Sequence, residues 1–217
     1  MPHALLVLAL LVLTPACSLL KVYEFHDPLT AKEHLSLGVS YESEGKPQSA
    51  IAEYEKVAAM DPHGDGVTAR VFLGNVYAGL EQFQQAEQSY RDALSLNPRQ
   101  SQALNNLAVL YAKQGIKLDE AESLAHAALA QAAEQDPGRQ GMYLETLGEV
   151  LLRQERYAEA LQRFQQAEAL SAHGKPYWLV QLYTNMADAY QGLGQTAEAQ
   201  HARDRAATLQ RETRSSL

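Results

Sequence analysis

A single cysteine in 217 residues excludes an intramolecular disulfide framework, and it excludes any zinc site built on two or more thiolates. Basic side chains are also in short supply. Eighteen Lys and Arg against 26 Asp and Glu leave a formal net charge of −8, a poor match for DNA or RNA, where cations supply the binding energy. The seven histidines include no i, i+4 pair that a helix would turn into a metal site, and neither a Gly-x-Ser-x-Gly elbow nor a glycine-rich phosphate loop occurs. The stretch Asp61-Pro62-His63-Gly64-Asp65-Gly66 alternates oxygen ligands with glycine but lacks the distant bidentate Glu of a calcium loop, so it reads as an inter-helix turn. No metal, no cofactor and no catalytic constellation is expected, nor is any small-molecule substrate evident. What is present, at 46% hydrophobic residues, is the composition of a folded, soluble body.

The first apolar run, Ala4 to Leu13, is ten residues long, too short to cross a hydrocarbon core of about 30 Å as a helix and of the right length for a secretory signal. Thr14, Pro15 and Ala16 follow, and then the only thiol, Cys17. This resembles a bacterial lipoprotein signal, which implies removal of residues 1–16 and acylation of Cys17. The family usually has Leu where Thr14 stands, and the start Met1-Pro2-His3 lacks the customary Lys or Arg. Each buried methylene contributes about 0.8 kcal/mol, and stable anchoring takes more than one chain, a requirement that a multiply acylated Cys17 meets. Ser18 is similar to the outer-membrane-directed class. Residues 17–30 then form the lipidated end and tether. Ordinary cleavage after Ala16, releasing a soluble periplasmic protein, is the alternative.

Beyond the tether the chain repeats itself. Small and aromatic residues recur as LGVSY (Leu37 to Tyr41), LGNVY (Leu73 to Tyr77), LAVLY (Leu107 to Tyr111), LGEVL (Leu147 to Leu151) and MADAY (Met186 to Tyr190). A second small residue follows each of them: Ala50, Ala86, Ala121, Ala160 and Ala199. Tyr54, Tyr90 and Phe164 come four residues after their alanines, and Pro62 and Pro98 close the first two units. Within one unit, apolar positions recur at helical spacing, break at Glu81-Gln82, and resume at Phe83, which predicts two amphipathic helices per unit. Gly74 and Ala86 are placed where the two helices approach, Tyr77 and Tyr90 between successive units, and Pro98 stops the second helix. Such a unit cannot bury its own apolar face, so neighbours must stack.

These motifs resemble the tetratricopeptide repeat, a 34-residue helix-turn-helix. The resemblance implies an all-α, right-handed α-solenoid over residues 31–213, with units 31–64, 67–100, 101–136, 141–174 and 180–213 and a tail 214–217. The fifth unit is degenerate, and its polar end suits a solubilising cap. Tyr177 and Trp178 begin a helix and read as packing aromatics, with ligand stacking as the other possibility.

In that family the first helix of each unit lines a concave surface. Residue by residue, the likeness places Val71 and Asn75, then Asn105, Asn106 and Lys113, then Met142, Glu145, Thr146, Glu149 and Arg153, then Asn185 and Asp188, on that face. An amide both donates and accepts, so Asn75, Asn105, Asn106 and Asn185 can pair with the backbone of an extended peptide; they can equally bridge neighbouring helices. Asn75 and Asn106 match the asparagines of the carboxylate-clamp variety, whose basic members are replaced here by Val71, Met142 and Thr146. Glu145, Glu149 and Asp188 instead make the second half of the groove acidic, which suits a neutral or basic peptide. The expected function is a non-catalytic scaffold of the bacterial cell envelope, lipid-anchored at the outer membrane facing the periplasm. Its partners would be proteins or peptides of a pilus, secretion or outer-membrane assembly. A narrower likeness, over Asp27 to Tyr54, is to repeat segments associated with bacterial papain-like cysteine peptidases, which implies such an enzyme as a partner only.

Overall fold

A computed structural model describes residues 27–135, 137–170 and 178–214. Cys17, the apolar run before it and Tyr177 lie outside the described residues. Ten α-helices follow one another as five hairpins: α1 (Ala31–Ser43) with α2 (Pro47–Met60), α3 (Asp65–Gly79) with α4 (Phe83–Leu96), α5 (Ser101–Gln114) with α6 (Leu118–Gln135), α7 (Gln140–Arg153) with α8 (Tyr157–Leu170), and α9 (Leu179–Gly192) with α10 (Thr196–Arg214). No strand occurs among the described residues.

Local chemistry sets the helix ends. Thr30 and Glu33 form a reciprocal capping box at the start of α1, with the Thr30 amide donating to Glu33 at 2.7 Å. Pro47 begins α2, where its missing N–H costs nothing. The Asp61 carboxylate accepts from the amides of Gly64 and Asp65 at 3.0 and 2.8 Å, so the stretch with a calcium-loop look is the entry to α3. Next to the first hairpin, the fully buried His34 bridges Glu53 (Nδ1, 2.5 Å) and Asp27 (Nε2, 3.3 Å), fastening the incoming chain to α1 and α2.

Three of the five hairpins are closed by a ring lying on a glycine. Tyr54 covers Gly38, Tyr90 covers Gly74 and Phe164 covers Gly148, and in each case an added Cβ would overlap the ring. Tyr90 therefore fills its own hairpin, not the space between units, because the missing side chain of Gly74 is where its ring goes. Trp178 lies against Gly141, where a Cβ would meet its ring at 3.0 Å, which makes it a packing residue between α7 and α9.

Consecutive hairpins stack unequally. The first helices pack in sequence, α1 on α3, α3 on α5, α5 on α7 and α7 on α9, whereas among the described residues no second helix packs its backbone closely on another, α4 and α6 meeting through the long side chains of the Arg91–Glu120 ion pair at 2.8 Å. The odd-numbered helices thus converge into one continuous layer and the even-numbered helices splay outside it, which makes the odd layer the concave side of an α-solenoid.

Candidate functional site: the concave face

The concave layer carries two clusters of polar side chains. In the first, Asn106 on α5 donates its Nδ2 to Asn75 Oδ1 on α3 at 2.7 Å, and the Tyr90 hydroxyl donates to the same oxygen at 2.9 Å. Asn75 is exposed, and its own Nδ2 has no partner among the described residues. Beside this pair opens a recess of 370 Å³ whose wall includes Phe83, Val109 and Leu110 on the apolar side and Lys113 at the polar edge. Val71, expected to face the groove, is fully buried in the core. It sits where α3 turns its apolar stripe inward, and only the neighbouring positions reach the surface.

The second cluster lies on α5, α7 and α9. Asn185 on α9 donates its Nδ2 to Glu145 on α7 at 2.7 Å and accepts from Gln181 at 2.9 Å. Glu149, one turn along α7, has a single contact at 3.7 Å with Arg153. All are inside the protein: Asn105 is 5%, Glu145 7%, Glu149 6% and Asn185 3% exposed. Burial pushes the Glu145 carboxyl up to about 8, with the adjacent Glu149 charge adding to the rise and Asn185 and Lys113 opposing it. Glu149 is raised by the same cause, burial, against the pull of Arg153 and Lys113. Asp188 stands apart on the exposed side of α9, near Arg153 and Tyr157.

The structure therefore brings the seven predicted groove residues into two groups and one outlier: Asn75 with Asn106, then Glu145 with Asn185 and Glu149 and with Asn105 at the same register on α5, and Asp188 by itself. Asn75, Asn106 and Asn185 do bridge neighbouring helices and Asn105 does not, yet Asn75 keeps a donor for a ligand. Tyr90 as a member of the amide cluster escaped sequence reasoning. Its signal was the one-residue offset between Gly74, under the ring, and Asn75, under the hydroxyl.

Profiles of the tetratricopeptide repeat match residues 34–63, 67–100 and 180–213, and a second profile of the same repeat matches residues 99–172. The chain belongs to the tetratricopeptide repeat family. Among curated proteins it is similar to the protein O-mannosyl-transferase Tmtc1 of Drosophila melanogaster, 34% identical over 131 residues that make up 59% of this chain and 15% of that one. It is also similar to the photosystem I assembly protein Ycf3 of Cyanophora paradoxa, 35% identical over 80 residues, 36% of this chain and 46% of that one. The chain thus spans less than half the length of either relative. Among solved structures, PilW, described as a widely conserved type IV pilus biogenesis factor, matches with a TM-score of 0.72 at 18% identity, over 82% of this chain and 77% of that one. PilF of Pseudomonas aeruginosa matches at 0.67 and 22% over 82% and 75%, and MamA at 0.61 and 18% over 82% and 97%. At these identities the likeness is one of fold. Among the described residues, no helix of this repeat protein is long and apolar enough to cross a membrane.

Proposed function

We propose that this repeat protein is a non-catalytic scaffold of the bacterial cell envelope, held at a membrane by an acylated Cys17, whose concave face grips extended segments of partner proteins during assembly of an envelope complex. The observation that carries the reading is the Asn75–Asn106 pair beside its apolar recess. An amide with a free donor next to an apolar hollow fits a peptide backbone and one apolar side chain together. The fold likeness to PilW favours a pilus-type assembly over other envelope systems.

Replacing both Asn75 and Asn106 by alanine is expected to reduce partner recovery from envelope extracts about tenfold, the effect of losing roughly 1.4 kcal/mol of binding. Helicity by circular dichroism should not change, because both amides lie at the edge of the core. Undiminished recovery would refute the groove assignment.

The anchor is tested separately. Radiolabelled palmitate should enter the wild-type protein and not Cys17→Ala, and the variant should move from the membrane fraction to the soluble periplasm. A wild-type protein that takes up no label is the soluble periplasmic holder that cleavage after Ala16 would release.

A further inference from the structure

The second concave cluster is rich in acceptors and poor in donors. Glu145 receives one hydrogen bond, from Asn185, and Glu149 only the long contact with Arg153. Asn105, at the same register on α5 as Glu145 on α7, donates its Nδ2 to Asn106 at 3.4 Å. Its Oδ1, on the helix that packs against α7, is buried and accepts nothing from the protein. An unpaired buried acceptor costs about 1–3 kcal/mol, and buried carboxylates without a close cation cost more. A folded protein keeps such a set where a ligand completes it.

We propose that Asn105, Glu145 and Glu149 form a subsite for a lysine or arginine side chain of the bound segment. This rests on the groove reading above and names the chemistry that reading leaves open. An ammonium group brings three donors and a guanidinium five, against two carboxylates and one amide oxygen that lack them. The cations already nearby do not fill the role. Arg153 stays 3.7 Å from Glu149, and Lys113 on α5 acts on both carboxyls without forming an ion pair with either. Asp188 on α9 is exposed and outside the buried set. Both carboxyls keep a small accessible area, so the cluster is not sealed.

Binding a cation there favours the ionised carboxyl, so it releases a proton from Glu145 at neutral pH, and affinity rises with pH until that group is ionised in the free protein.

The test uses four extended Ser/Ala dodecapeptides that differ at one central residue, Lys, Arg, Met or Glu, and titrates each into the full chain at pH 7 and pH 8.5. The Lys and Arg peptides should bind at least tenfold tighter than Met, more so at pH 8.5, and the Glu peptide weakest. Glu145→Gln with Glu149→Gln should erase the preference, with helicity by circular dichroism unchanged. In carboxyl-selective NMR, the Lys peptide should move the Glu145 titration midpoint down by more than one pH unit, and the Met peptide should leave it in place. Equal binding of Lys and Met, a preference that survives the double substitution, or no binding at millimolar peptide overturns the subsite. The groove reading falls with it only if the Asn75, Asn106 variant also recovers partners normally.

Discussion

Gly148→Ala is expected to destabilise the protein by about 2–3 kcal/mol, although alanine favours helix over glycine by about 1 kcal/mol. The Phe164 ring occupies the volume a Cβ would need, and the ring is fully buried, so it cannot swing into solvent. The same exchange runs through the repeat. Glycine stands in the first helix wherever a ring follows sixteen residues on: Gly38 with Tyr54, Gly74 with Tyr90, Gly148 with Phe164. Where the second helix offers no ring, the first helix has alanine instead. Ala108 faces the register of Ala125, one residue further on because α5 runs one residue longer past it, and Ala187 that of Arg203. Phe164→Ala alone should cost about 3–5 kcal/mol, as large-to-small core changes do. In that background, Gly148→Ala should become neutral or stabilising. Urea unfolding of the four proteins of the cycle measures the coupling. A neutral Gly148→Ala in the wild type would mean that the ring is not what selects glycine.

That exchange marks how far the chain could be read without coordinates. Helical hairpins, their turns and their stacking were legible because each rests on local chemistry: spacing of apolar residues, its interruption at Glu81-Gln82, and Pro62 and Pro98 closing the first two units. The concave positions were legible only through the family likeness. Which of them are ligands and which are struts was not, because that depends on pairs far apart in sequence. Asn106 with Asn75, Tyr90 with Asn75, and Asn185 with Glu145 are separated by 31, 15 and 40 residues. Val71 shows the limit from the other side: a groove position by register, it is core by packing, in one apolar cluster with Tyr90, Ala103 and Leu107. Nothing in the order of residues announces that Glu145 and Glu149, ordinary for a helix surface, are buried. That follows from the α5–α7–α9 contacts, which exist only after stacking.

The burial of Glu145 gives the second large effect. Its carboxyl is pushed up to about 8 in the folded chain, while an unfolded chain loses that proton near 4.5. Between these values the folded state holds a proton that the unfolded state does not, so stability falls as pH rises. The favourable contribution of the neutral acid is complete below pH 4.5, declines through neutrality and is gone above pH 8. Glutamine has the shape of the protonated acid and no charge to desolvate, and its carbonyl oxygen can still accept from Asn185. Glu145→Gln should therefore match the wild type near pH 4 and exceed it progressively above, by about 4–5 kcal/mol at pH 8.5. The readout is the difference in urea midpoint between the two proteins across pH 4–9, in which ionisable groups other than the adjacent Glu149 cancel. A constant difference, or one that shrinks as pH rises, would place the Glu145 carboxyl in contact with water or with a cation in the free protein. A variant that is more stable at pH 8.5 and no longer prefers the Lys peptide would show why glutamate is there, since stability surrendered at one buried position is the common mark of a binding site.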